Sequence, residues 1–203
     1  TMKAVAKSPS LIGRLKSSFA LTPGFEGPDQ PSGLFPEYDA TSGTWTAPFI
    51  MAAINTKNVH RTNFLLNHAY GEDFAYDEMM MTTAGEAGKA IAEGIAKALK
   101  SANPFGDGPI PKQGEGPNKD ERENGFYEIL FIAEMGDGNM VKAVVAGDKD
   151  PGYGSTSKMI AESALTLLEN DTPGGVFTPG AIIAAPLIKR LQANAGLTFT
   201  IED

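Results

Sequence analysis

GFYEILFIAEMGDGNMVKAVVAGDKDPGYGSTSKMIAESALTLLEN, residues 125–170, decides the fold class. Apolar residues run from Phe126 to Ala133 and again from Met140 to Ala146. Gly136, Asp137 and Gly138 lie between them, which is the pattern of two strands joined by a tight turn. The second strand leads through Gly152 and Gly154 into a helix for which Ser155 or Thr156 is the expected cap. Farther on, GGVFT (174–178) reads as a short strand and Thr178–Pro179 as a helix start. Pro186 is expected to kink or split that helix, and Gly196 to stop it before a final strand, LTFTIE, at 197–202.

Upstream of residue 125 the pattern is looser. Leu21 to Thr46 is rich in Pro, Gly, Asp and Ser, so it is expected to be a long loop, either functional or connecting. Thr46 reads as an N-cap with Pro48 in the first turn of a long, largely buried helix ending at Gly71. DFAYDEMMMT (73–82) alternates like a strand with both faces partly covered, its three methionines serving as core filler. Glu86 to Lys100 reads as a helix with Ile91, Ile95 and Leu99 on its inner face; Gly88 and Gly94 are expected where another backbone packs closely. Asn103 to Asn124 is a second long loop, with Asp120 to Glu123 a solvated charge run. Segregated helices and a strong hairpin predict an α+β fold, with a mixed, mainly antiparallel sheet and helices on one side. Residues 1–45 are then an N-terminal segment and connection, and 46–203 a single domain.

Composition removes whole classes of chemistry. The chain has 203 residues, Lys+Arg 17 against Asp+Glu 25, a net charge of -8 and no Cys. A chain of this length buries roughly 70% of the surface it exposes when unfolded, so it needs no staple. Without Cys there is no thiol nucleophile, disulfide, Cys-ligated zinc or iron–sulfur cluster. His60 and His68, the two histidines, are spaced as in no metal motif, and no metal is expected. The acidic balance argues against nucleic acid. Lys3, Lys7, Arg14 and Lys16 form a basic N-terminal cluster, read as a solvated segment, with contact to an anionic surface as the other use. The apolar stretches Ala47–Ile54 and Ala181–Ile188 are too short for the ~20 residues of a membrane span, and the expected location is the cytoplasm.

Few residues stand out for chemistry. Asp148 to Lys158 leads a strand into a helix N-terminus, where free N–H groups could hold an anion, although Asp148 and Asp150 oppose one. A tight turn is the preferred reading there. Asn55 must find a hydrogen bond or face a ligand. His60 reads as solvated. Arg61 could clamp a carboxylate or phosphate, but an ion pair with Asp or Glu is the simpler use. Gly114–Pro117 reads as a surface turn. There is no GxGxxG after a strand, no GxSxG, and no pair of carboxylates distinguished by spacing, so no catalytic residue is assigned.

Several blocks, however, are recognisable together. TAPFIMAAIN, TKNVHRTNFLL, YGEDFAYDE, GEGPNKDERENGFYE, GDKDPGYGSTSKMIAESAL and GGVFTPGA, followed by RLQANAGLTF, resemble in order the C-terminal half of the saccharopine dehydrogenase-like oxidoreductases, the branch that includes bacterial trans-acting enoyl reductases. Thr62, where Ser is expected after Arg61, and Pro186 depart from that pattern. The resemblance implies a domain similar to the C-terminal domain of the glyceraldehyde-3-phosphate dehydrogenase type, shaping a substrate pocket and forming a homodimer. It implies a Rossmann domain for NADP or NAD that is absent from this chain, so no cofactor is expected here alone. Thr1 in place of Met is expected of a proteolysed or excised chain. Asn55, Arg61, Tyr153 and Thr156 are then expected to contact a small-molecule or acyl substrate, or the nicotinamide side of the cleft. The other expectations are a non-catalytic binding or assembly module of the same descent, and an acyl chain bound beside Met79–Met81.

Overall fold

The computed structural model describes residues 8, 11–101 and 114–202. Lys3 and Lys7 of the basic cluster, and the middle of the second long loop, lie outside them. The chain divides into two compact units, Thr1–Pro109 and Ile110–Asp203. The class is α+β, but the single mixed sheet expected from the element order is two three-stranded sheets, and every pairing in them is antiparallel.

In the first unit, α1 (Leu11–Lys16) precedes the strands β1 (Glu37–Asp39) and β2 (Thr44–Pro48). Helix α2 (Ala52–Leu65), strand β3 (Met79–Met81) and helix α3 (Gly85–Leu99) follow. Thr46 and Pro48 are thus not a helix start. Thr46 pairs with Glu37 on one side and Met81 on the other. Pro48, which has no N–H to give a ladder, is tolerated as the last residue of the strand. Helix α2 opens later, behind Met51, with no side-chain cap. Its buried residues are Ala52, His60 and Asn63, so it is not the apolar core helix expected.

Helix α2 also stops before Gly71. The Asn63 side chain accepts the Tyr70 N–H at 2.8 Å and donates to the Gly71 carbonyl at 2.8 Å, while Asn67 and His68 take positive φ values of 54° and 59°. A buried amide therefore folds the chain back on its own helix, offsetting two left-handed residues that cost free energy. Of the expected strand at 73–82, Met79–Met81 alone pairs.

Helix α3 packs against β2 through Gly88, Ala92 and Ala96, one turn apart, rather than through Ile91, which is 49% exposed. Small residues on that stripe face the fully buried Ala47 strand and let helix and sheet approach closely. Gly88 is where the approach is tightest. The Thr82 hydroxyl donates to its carbonyl at 3.0 Å, and a Cβ there would lie 1.6 Å from the Thr83 carbonyl oxygen. Nothing packs against Gly94, so close packing explains one glycine and not the other.

The second unit contains α4 (Lys119–Asn124), β4 (Tyr127–Glu134), β5 (Met140–Gly147) and α5 (Gly154–Glu169). It ends with α6 (Pro179–Ile182), α7 (Ala184–Asn194) and β6 (Leu197–Glu202). The hairpin forms as read, with Tyr127 opposite Gly147 and Glu134 opposite Met140, and β6 pairs on the far side of β5. Val145 and Phe199 from one sheet face, with Met159 of α5, pack on Ile183, Leu187, Leu191, Ala195 and Leu197. The helix at Pro186 is split, as expected, but the break falls at Ile183. Pro186 then sits in the first turn of α7, where its missing N–H is not needed. Gly196, at φ 72°, follows the end of α7.

Three local expectations change in this unit. GGVFT forms no strand. The charge run Asp120–Glu123 has no buried residue, as read, but it lies in the helix Lys119–Asn124 rather than in a loop, closed by a capping box in which Asn118 accepts from the Glu121 N–H and the Glu121 carboxylate accepts from the Asn118 N–H. Helix α5 is capped by neither Ser155 nor Thr156. The Asp150 carboxylate takes the N–H groups of Gly152, Tyr153 and Gly154 instead.

Replacement G88A should destabilise the first unit by about 1–3 kcal/mol, because the backbone it meets cannot swing aside. Urea denaturation should show a lower midpoint for G88A and a smaller change for G94A, which has open space around it.

Candidate functional site

The first unit is assembled around one face of α2. His60 is 3% exposed, with its Nε2 3.0 Å from the Oε1 of Gln30. That oxygen also accepts the Tyr76 N–H at 2.9 Å, and the Gln30 amide nitrogen donates to the carbonyls of Pro28 at 3.0 Å and Phe74 at 3.4 Å. These partners orient the amide, so His60 Nε2 must carry the hydrogen. The Phe19 and Phe74 rings lie 4.5 and 5.7 Å from the imidazole. Burial pushes the His60 pKa down, so the ring is held neutral. His60 is therefore a core group, where the sequence suggested a solvated one.

Beside it lies a polar cluster. Asn55 Nδ2 donates to Glu78 Oε2 at 2.8 Å, and the Tyr76 hydroxyl donates to Glu78 Oε1 at 2.8 Å. Burial first, and then the hydrogen bond and charge of Glu78, push the Tyr76 phenol well above its ordinary range. Asp77 is half-buried, and its Oδ1 accepts the Glu78 N–H at 2.8 Å. Its pKa is raised by burial, against the opposing effect of that hydrogen bond.

Tyr76 and Asp77 open onto a cleft of about 970 Å³. Its walls include Phe19, Leu34, Phe35, Phe49, Ile50 and Leu99, and Lys57 and Lys100 also line it. The Lys57 ammonium donates to the Ala53 carbonyl, and that of Lys100 lies 5.2 Å from the centre of the Phe35 ring. Such a space, apolar with a few polar groups at one place, has the make-up of a small-molecule site. Met79–Met81 do not line it.

The sequence-derived candidates fall into two pairs in different units. On α2, Asn55 is turned to Glu78 while Arg61 donates to the Leu21 carbonyl at 3.1 Å and lies over the Phe64 ring, so the helix does not bring them together. In the second unit, Tyr153 and Thr156 adjoin at the start of α5. Tyr153 is 57% exposed and borders a cavity of about 420 Å³ with Gly116 and Arg122; the Thr156 hydroxyl donates to the Pro151 carbonyl at 2.6 Å. The N–H groups that might have held an anion are taken by Asp150, whose carboxyl is held below the usual range chiefly by the Gly154 N–H, with those of Tyr153 and Gly152 and the Arg122 charge assisting. The turn reading is the correct one.

Gln30, Asp77 and Glu78 were missed by sequence reasoning. The one available signal was Asn55, whose burial demanded a partner. Among the described residues there is no cluster of three or more His, Asp or Glu that could hold a metal, and no helix long and apolar enough to cross a membrane.

His60 makes the first unit sensitive to acid. Its folded pKa lies below the unfolded value of about 6.5, so its contribution to stability is complete above that value and is lost as the pH falls toward the folded pKa. Thermal melts from pH 8 to 5 should show a falling midpoint, and H60Q should flatten the part of that slope below pH 6.5.

The chain is 37% identical over 85% of its length to a protein of Mycobacterium tuberculosis provisionally named a trans-acting enoyl reductase, of which the match covers 45%. It is 33% identical to the trans-acting enoyl reductase of Mycobacterium leprae and 32% identical to that of Mycobacterium ulcerans, covering 43% and 40% of them. No protein-family model and no solved structure matches the chain. The chain is thus a homologue of mycobacterial proteins named trans-acting enoyl reductases, and it spans less than half the length of these curated relatives.

Proposed function

We propose that this chain is the C-terminal substrate-binding and dimerisation part of a saccharopine dehydrogenase-like oxidoreductase of the enoyl reductase type. In this reading its fold is akin to the glyceraldehyde-3-phosphate dehydrogenase-type C-terminal domain. The observation that carries the proposal is the match to proteins named trans-acting enoyl reductases over 85% of this chain. The blocks of sequence that resemble that branch support it, and so does the apolar cleft beside Asp77, which has the size and lining to take an acyl chain.

The reaction in this reading is hydride transfer from NADPH or NADH to the double bond of an enoyl substrate, with the cofactor held by a Rossmann domain outside these 203 residues. Within the chain, Asn55, Arg61, Tyr153 and Thr156 are assigned to contacts with substrate or with the nicotinamide side of the site. Asn55 acts through the Glu78 carboxylate it already bonds. Tyr153 is exposed and can present its ring directly. The working enzyme is a cytoplasmic homodimer.

Two measurements test this. The product of the full coding sequence should oxidise NADPH or NADH in the presence of a 2-enoyl thioester, and Y153A should raise KM roughly tenfold, the cost of a contact worth about 1.4 kcal/mol. Calorimetry of the 203-residue chain alone should show no NADPH binding. Tight binding of NADPH by this chain, or a full-length product inert toward every enoyl thioester offered, would contradict the reading.

A further inference from the structure

The second unit leaves a strand edge open. Strand β4 stands at the end of the order β4, β5, β6 and pairs on one side alone. Which of its backbone groups face outward follows from the bonds at either end of β5. The Asp148 N–H donates to the Gly196 carbonyl at 3.3 Å beside β6, and the Met135 N–H donates to the Asn139 carbonyl at 2.8 Å beside the hairpin turn. Hydrogen-bonded pairs recur at every second residue of an antiparallel ladder. Followed along the register, the two bonds agree: even-numbered residues of β5 bond β6, and odd-numbered ones bond β4. The odd-numbered residues of β4 therefore turn their N–H and C=O groups to β5, and those of Glu128, Leu130 and Ile132 point away from the sheet. Among the described residues nothing bonds to these outward groups.

Open edges are ordinarily protected by Pro, Lys, a bulge or a covering element. Strand β4, YEILFIAE, contains neither Pro nor Lys, and its register with β5 runs without a bulge from Tyr127 to Glu134. Ile129, Phe131 and Ile132 are exposed on it. Ile129 lies opposite Val145 and Phe131 opposite Ala143, so both side chains share the face on which Val145 and Phe199 pack against Leu187 and Leu191 of α7. The apolar face thus continues past the helices to the open edge.

We propose that this edge pairs with β4 of a second copy of the chain, antiparallel about a two-fold axis at Leu130. Opposed residues of an antiparallel pair lie on the same face, so in a two-fold pair of β4 strands their numbers are both odd or both even. With the axis at Leu130, Leu130 meets its copy, Ile129 meets Phe131, Glu128 meets Ile132 and Tyr127 meets Ala133. The outward groups of Glu128, Leu130 and Ile132 then bond one another. The apolar row Phe199, Val145, Ile129 runs on into Phe131, Ala143 and Ile201 of the second copy. An axis at Phe131 would set Glu128 against Glu134, a repulsive pair, and an axis at Ile129 would shorten the overlap. The edge is therefore complementary to itself in one register, which favours a second copy over a foreign strand. The proposal rests on the homodimer of the proposed function and adds the strand and register that form it.

The chain has no Cys, so single cysteines report the pairing cleanly. In the proposed pair the Cα atoms of Leu130 and its copy lie about 5.5 Å apart. A short bifunctional thiol reagent should link L130C into a dimer and leave T200C, in the same cross-strand row but on the opposite edge, unlinked. In sedimentation equilibrium the wild-type chain should dimerise. I132E should weaken dimerisation about tenfold, because it sets a like charge against Glu128 twice in each dimer, and I132E combined with E128K should restore it. Far-UV circular dichroism confines the comparison to folded protein, and if I132E does not fold, the two cysteine variants decide. A wild-type dimer in which L130C links no better than T200C, or in which I132E dimerises as wild type does, overturns the pairing and leaves the homodimer standing. A wild-type chain that stays monomeric at every concentration overturns both.

Discussion

The first unit depends on the side-chain amide of Gln30. A loop too rich in Pro and Gly to make its own ladder needs another way to satisfy its backbone and to hold its place. Gln30 supplies it by joining three segments at one point: its oxygen takes His60 of α2 and the N–H of Tyr76, and its nitrogen reaches the carbonyls of Pro28 and Phe74. The Phe19, Phe25, Phe74 and Tyr70 rings close around this point. A neutral imidazole is part of the arrangement, since a second ring proton would bring a charge into an aromatic surround. The segment Tyr76–Glu78 is in turn placed by this clamp, and with it the polar end of the cleft.

Both units settle their backbone ends with side chains that a reading by hydrophobic pattern assigns to solvent. Asn63 folds the chain back after α2, Asp150 caps α5, and Asn118 with Glu121 caps α4. Arg190 ties α7 to α5 by reaching Glu162 at 2.8 Å and Glu169 at 2.7 Å. That is how an acidic chain with no disulfide can hold long irregular connections in place. The capping of α5 also bears on function, because a carboxylate occupying the N–H groups at the helix start leaves them unable to bind an anion.

The hairpin, the final strand, the stop at Gly196 and the splitting near Pro186 were legible because each rests on local chemistry: alternation, a Gly-rich turn, a left-handed residue, a missing N–H. The start of α2 was not. Thr46 followed by Pro48 fits a helix N-terminus and a strand end equally well, and the choice was made by β1 and β3 on either side. The inner face of α3 was misread because Ile91 outranks Gly88 and Ala92 in hydrophobicity, whereas closeness to β2 favours the smaller residues. Asn55 was rightly read as a residue that needed a partner, but Glu78 lies 23 positions away and only the folded chain names it. Gln30 and Asp77 carried no signal, since neither a lone amide in a loop nor one carboxylate among 25 acids is distinguished by spacing.

Photo-crosslinking decides whether the cleft lined by the 26–35 loop receives an acyl chain, as proposed. An acyl thioester with a diazirine midway along its chain, irradiated with the protein and mapped by mass spectrometry, should label peptides bearing Leu34, Phe35, Phe49 or Leu99, with labelling suppressed by unmodified thioester. Label confined to the second unit, or label anywhere that the unmodified thioester fails to suppress, would contradict the account.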